Sequence, residues 1–143
     1  MSFHRLFRCI SPSSLQTIRT MALSVDTASD GFENPLRGLC EEFFTLPVDN
    51  VIRHISINLV AHRDCQPRDE HWSPLNIIFT PRRFPSLQSL SITVATFAMT
   101  HEGFAVLNGQ FMEMAQRCFP SIKGIYGERF VFSIRSYRSS MRR

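Results

Sequence analysis

His62, Cys65 and His71 stand within ten residues of one another, with Asp64, Asp69 and Glu70 interspersed. Imidazole, thiolate and carboxylate are the ligands that zinc takes. The spacing does not suit a structural site, which brings its ligands in close pairs; here one cysteine stands without a second cluster at a fixed offset. The segment from Ala61 to His71 reads instead as a solvated surface loop after a strand. Arg63, Arg68 and the adjoining Trp72 are its candidate anchors for a partner.

Nucleophilic and phosphate chemistry lack their usual frames. No serine sits in a Gly-x-Ser-x-Gly elbow, and no Gly-x-x-x-x-Gly-Lys loop is present. A turn is sufficient reason for the Gly124 and Gly127 spacing. Cys9, Cys40, Cys65 and Cys118 form no Cys-x-x-Cys pair and lie mostly among apolar residues, the pattern of buried reduced thiols. No Asn-x-Ser/Thr acceptor and no continuous apolar leader occur, so a cytoplasmic or nuclear setting is expected. The expectation is a non-enzymatic protein with no catalytic residue, no metal and no cofactor.

The elements that would position any functional residue fit within 143 residues, a length for one domain. A hydrophobic fraction of 43% and a charged fraction of 20% exclude a collagenous or disordered chain. No stretch approaches the roughly 20 apolar residues of a membrane span. Sixteen basic residues face twelve acidic ones, and the excess gathers at the ends. Arg5, Arg8 and Arg19 precede the first acid, Asp26; Arg129, Arg135, Arg138, Arg142 and Arg143 follow Glu128, giving a basic tail over 135–143. A nucleic-acid footprint would be a denser basic stripe, so neither nucleic acid nor membrane is expected as a partner. Phe3, Leu6, Phe7 and Ile10, with Arg5 and Arg8 between them, also have the form of a mitochondrial presequence, which is the competing reading of the start.

One pattern recurs along the chain: apolar-x-x-apolar-x-apolar-x-apolar. It appears as Ile18, Met21, Leu23, Val25; as Ile52, Ile55, Ile57, Leu59; and as Leu87, Leu90, Ile92, Val94. A decayed copy begins at Ile122 and Ile125 and loses alternation at Gly127, so the starts are 34, 35 and 35 residues apart. The lead-in repeats too: Arg83-Phe84-Pro85-Ser86-Leu87 matches Cys118-Phe119-Pro120-Ser121-Ile122. At the first copy, aligning on Pro-Ser selects Leu15 and aligning on the strand selects Ile18.

Each run predicts a strand with one apolar and one polar face. Strands joined by long connections should be parallel, and a sheet covered on both sides would be apolar on both faces. These runs are not, so helices should cover one face only. Leu36, Leu39, Cys40, Phe43 and Phe44 supply one helical stripe, with Pro35 in its first turn. Phe104, Leu107, Phe111, Met114 and Cys118 supply a longer one, and Trp72 to Phe79 a shorter apolar segment. The predicted fold is α/β: an irregular leucine-rich-repeat-like solenoid of about four strand-helix units, with a parallel sheet and helices on one face.

Trp72-Ser73-Pro74-Leu75 followed by Phe84-Pro85-Ser86-Leu87-Gln88-Ser89-Leu90-Ser91-Ile92 resembles the leucine-rich-repeat-like region of F-box proteins from mushroom-type fungi. The resemblance spans residues 10 to 125. It implies a substrate receptor of a ubiquitin ligase, or a diverged copy or fragment of one. Val60 and Ala95 stand where the common repeat has its Asn, and only Leu46-Pro47 echoes an F-box. The function expected is therefore protein binding through the open strand face. Its candidate residues are Ser24, Ser56, Asn58, Ser91 and Thr93, with Ala22 beside them. An array whose end layers are uncapped, with Phe3 to Ile10 and Phe130 to Ile134 exposed, is the further alternative.

Overall fold

Alternation of aliphatic with small polar residues is satisfied when one side of a strand is buried and the other wet. In the computed structural model, which describes residues 14, 16–26, 35–61, 67–97 and 100–137, this produces four strands. They are β1 (Thr20–Asp26), β2 (His54–Ala61), β3 (Ser89–Phe97) and β4 (Phe130–Tyr137). They form one parallel sheet in the order β1-β2-β3-β4. Between them run α1 (Pro35–Phe44), α2 (Asp69–Ile78), α3 (His101–Cys118) and α4 (Pro120–Tyr126), the last followed by a 3-10 turn at Gly127–Arg129.

The register pairs Thr20 with His54 and His54 with Ser89, steps of 34 and 35 positions. Ile18 thereby takes the place of Ile52, which resolves the first copy in favour of the strand alignment. The step is marked by backbone as well. The N–H groups of Arg53 and His54 both donate to the carbonyl of Arg19, at 2.7 and 3.1 Å. One repeat later Gln88 and Ser89 donate to the carbonyl of Arg53, at 2.7 and 3.0 Å.

The fourth copy does not begin at Ile122. Ile122 lies in α4, and Leu90 pairs with Phe130, 40 positions on. Pro120 has two uses open to it, since its fixed φ suits both a turn and the first residue of a helix. After Pro85 the alternating residues follow at once and a turn leads into β3. After Pro120, Ile122, Ile125 and Tyr126 come at helical spacing, and Ile122 and Tyr126 are buried. Asn76 on α2 accepts from the Ile122 N–H at 3.0 Å, supplying the cap that Phe119 lacks. The stretch expected as a tail from residue 135 begins inside β4, and residues 138–143 lie outside the described part. Most of the proposed presequence, including Phe3, Leu6, Phe7 and Ile10, also lies outside it.

One core holds the buried strand residues and the helix stripes together. Leu36, Leu39, Cys40 and Phe43 of α1 are buried; Phe44 is not, and the Arg83 guanidinium lies 4.2 Å from its ring centre. In α3 Leu107, Phe111, Met114 and Cys118 are buried, and Thr100 caps the helix by accepting from the Gly103 N–H at 3.0 Å. Phe43, Phe79 and Phe84 make one aromatic group, with ring centres 5.2 to 6.0 Å apart. Trp72 anchors a second group, lying 5.8 Å from Phe111, 6.4 Å from Phe119 and 5.9 Å from Phe132.

Asn50 is the buried polar residue that joins two loops. Its Nδ2 donates to the carbonyls of Pro47 (2.7 Å) and Arg83 (2.9 Å), and its Oδ1 accepts from the Ile52 N–H at 3.3 Å. An asparagine tie thus exists, but on the approach to the strand rather than after it.

Removing these groups has calculable costs. Trp72→Ala should lose about 3–5 kcal/mol of stability in urea unfolding; a loss under about 1 kcal/mol would mean that the indole is not core. Asn50→Ala should lose about 1–3 kcal/mol, because the backbone groups it serves would stay buried and unmet.

Candidate functional site

The side of the sheet turned away from the core is a grid set by register. Ser24, Asn58, Thr93 and Ser133 form one column across all four strands. Ala22, Ser56, Ser91 and Val131 form the adjacent one. Ser24 and Asn58 are exposed, while Ser56, Ser91 and Thr93 are half-buried. All five candidate face residues therefore share one surface. Among the described residues two side-chain pairs lie across it: His54 Nδ1 and Ser89 Oγ are 2.7 Å apart, and Thr93 Oγ1 and Ser133 Oγ 3.4 Å. Small side chains keep the grid shallow and leave it free of charge until the Asp26, Val60, Ala95, Arg135 column.

β4 contributes Val131 and Ser133, which the repeat reading left out by starting the fourth copy five positions early. The signal was present: Phe130, Phe132 and Ile134 alternate with Val131, Ser133 and Arg135.

The loop anchors fare differently from one another. Arg63 lies outside the described residues. Arg68 is exposed at the N-cap of α2, where its carbonyl accepts from the His71 N–H at 2.9 Å. Trp72 is no surface anchor: it belongs to α2 and is 7% exposed, with its ring packed among Phe111, Phe119 and Phe132. Burying so large an aromatic surface outweighs the polarity of its neighbours in sequence. Asp69, Glu70 and His71 are likewise helical rather than loop residues.

His62, Asp64 and Cys65 lie outside the described part; among the described residues no three His, Cys, Asp or Glu side chains are placed to hold a metal. Asp69 is already engaged. Arg117 at the end of α3 grips it with two hydrogen bonds of 2.9 Å, which holds its carboxyl below the usual value. The help this gives the fold is present at neutral pH and fades as pH falls through that lowered value. Cys118 lies beside this pair, its Sγ 3.5 Å from Ser73 Oγ and 3.8 Å from the Asp69 carbonyl. Burial pushes its thiol up. Burial, with Glu41 adding to it, pushes the Cys40 thiol from 9.0 to about 11. Both sulfurs are therefore protonated at neutral pH, and neither is an activated nucleophile. The Tyr126 hydroxyl is buried without a hydrogen-bond partner among the described residues, and its acidity is lowered by that burial.

No family model, curated protein or solved structure matches this chain.

Cys40 and Cys118 should resist iodoacetamide in the native protein at neutral pH and react once it is unfolded. The stability that the raised Cys40 value brings is complete below pH 9.0 and is lost as pH climbs toward about 11. Rapid native alkylation at either position would contradict this account.

Proposed function

We propose that the chain is a non-enzymatic protein-binding module whose working surface is the open face of the sheet. The observation that carries this reading is the register grid. Four parallel strands display Ser24, Asn58, Thr93 and Ser133 in one column beside Ala22, Ser56, Ser91 and Val131, with the core on the other side. Helices confined to one face and strands stepping one place at a time are the plan of a solenoid. We read the fold as an irregular leucine-rich-repeat-like array with an extra helix before its last strand.

Small side chains favour a partner that approaches the backbone closely and brings its own large residues, since these two columns lack the Tyr, Trp and Arg that dominate hot spots. The resemblance of Trp72-Ser73-Pro74-Leu75 and Phe84-Pro85-Ser86-Leu87 to fungal F-box proteins adds a narrower reading, a diverged copy or fragment of a ubiquitin-ligase substrate receptor. In that reading the face takes the substrate. The ligase adaptor needs a helical module that Leu46-Pro47 alone does not make; Leu46 is buried, and β2 follows shortly after.

The test is affinity capture with the full chain as bait in its own cells. A partner of the open face should be lost with Asn58→Arg and with Ser91→Arg, both of which should leave unfolding temperature within a few degrees of the parent. Co-recovery of a cullin and its adaptor would support the ligase reading. A partner retained undiminished by both variants would remove the open face as its site.

A further inference from the structure

Burial is uneven across the sheet. Ile55, Ile57 and Leu59 of β2 and Leu90, Ile92 and Val94 of β3 are all 1% exposed or less. The outer strands are less covered: Leu23 of β1 and Phe132 and Ile134 of β4 are only partly buried against the same core. Among the described residues β1 pairs only with β2, and β4 only with β3. Among the described residues each outer strand therefore offers an unpaired row of N–H and C=O groups.

The two edges are complementary rather than alike, because all four strands are parallel and share one register. We propose that β4 of one copy receives β1 of a second copy as a fifth parallel strand, joining chains head to tail. Continuing the observed register sets Phe130, Phe132 and Ile134 beside Met21, Leu23 and Val25 of the second copy. These are the apolar columns already formed inside the sheet. Val131, 51% exposed, meets Ala22 on the other face. The charges agree with this partner. Arg135 comes opposite Asp26, and just ahead of the strands Glu128 comes opposite Arg19. Opposite charges placed across neighbouring strands favour the pairing. Two β4 edges brought together would instead set arginine-bearing strands side by side. A head-to-tail contact uses different surfaces on the two copies, so each copy keeps a free edge after the first contact and assembly proceeds past the dimer, as an open chain or, where the rotation closes, a ring. This inference concerns the sheet's edges and does not depend on the open face binding another protein.

The test is sedimentation velocity of the full chain over a micromolar concentration series. The weight-average mass should rise through the series and pass that of a dimer. Arg135→Asp and Asp26→Arg, each folded by circular dichroism, should each move the association to about tenfold higher concentration. An equimolar mixture of the two should restore it, because each variant then meets an opposite charge on its neighbour. Val131→Lys, at an exposed position on the β4 edge, should weaken association in the same way and serves if either charge variant fails to fold. A mass that stays monomeric throughout would overturn the proposal. So would a dimer that does not grow and is indifferent to Asp26→Arg, which would mean an isologous contact.

Discussion

The structure depends on hiding every second strand residue beneath a single layer of helices. Met21 and Val25, Ile55 to Leu59, Leu90 to Val94 and Phe130 meet that demand in one register, with Leu23, Phe132 and Ile134 partly covered at the edges. Parallel neighbours require crossovers, and crossovers of one hand that step one strand at a time put each helix on the same side. Among the described residues no element covers the opposite side, which is why Ser24, Ser56, Asn58, Ser91 and Thr93 are tolerated there. The polarity of the open face and the apolarity of the core are two outcomes of one constraint. A one-residue slip would exchange them.

Polar groups hold the layers at fixed spacing. Asn50 binds the loop before β2 to the Arg83 carbonyl, Asn76 closes the start of α4, and Asp69 with Arg117 links α2 to α3. The buried Asn50 amide, bonded at both its oxygen and its nitrogen, favours one arrangement over its near alternatives, since a shifted loop would leave several groups unmet. A fixed grid suits the binding role proposed for this face, because its residues are too small to reach far and their positions would set which partner fits.

Much of this is legible in the sequence. The three alternating runs marked β1 to β3, and the residue stripes marked α1 and α3, because period-two and period-three-to-four burial leave distinct patterns. Two places misled for identifiable reasons. Phe119-Pro120-Ser121 repeats Phe84-Pro85-Ser86, yet the first opens a helix and the second a turn; the decision lies in whether Ile125 and Tyr126 or an alternating run comes next. Trp72 sits in a polar stretch and looked accessible, but its position is decided by Phe111, Phe119 and Phe132, which come from distant parts of the chain. Asn50 left no sequence signal, since its partners are main-chain carbonyls and an N–H brought close only by folding.

The one-sided sheet can be tested at a single strand. Cysteines introduced one at a time as Ser56→Cys, Ile57→Cys, Asn58→Cys and Leu59→Cys would be labelled with a maleimide in the native protein, and the modified peptides quantified by mass spectrometry. Fast labelling at 56 and 58 with protection at 57 and 59 is the result this account predicts. Equal protection at all four positions would mean that both faces are covered, and the open surface on which the proposed binding rests would not exist.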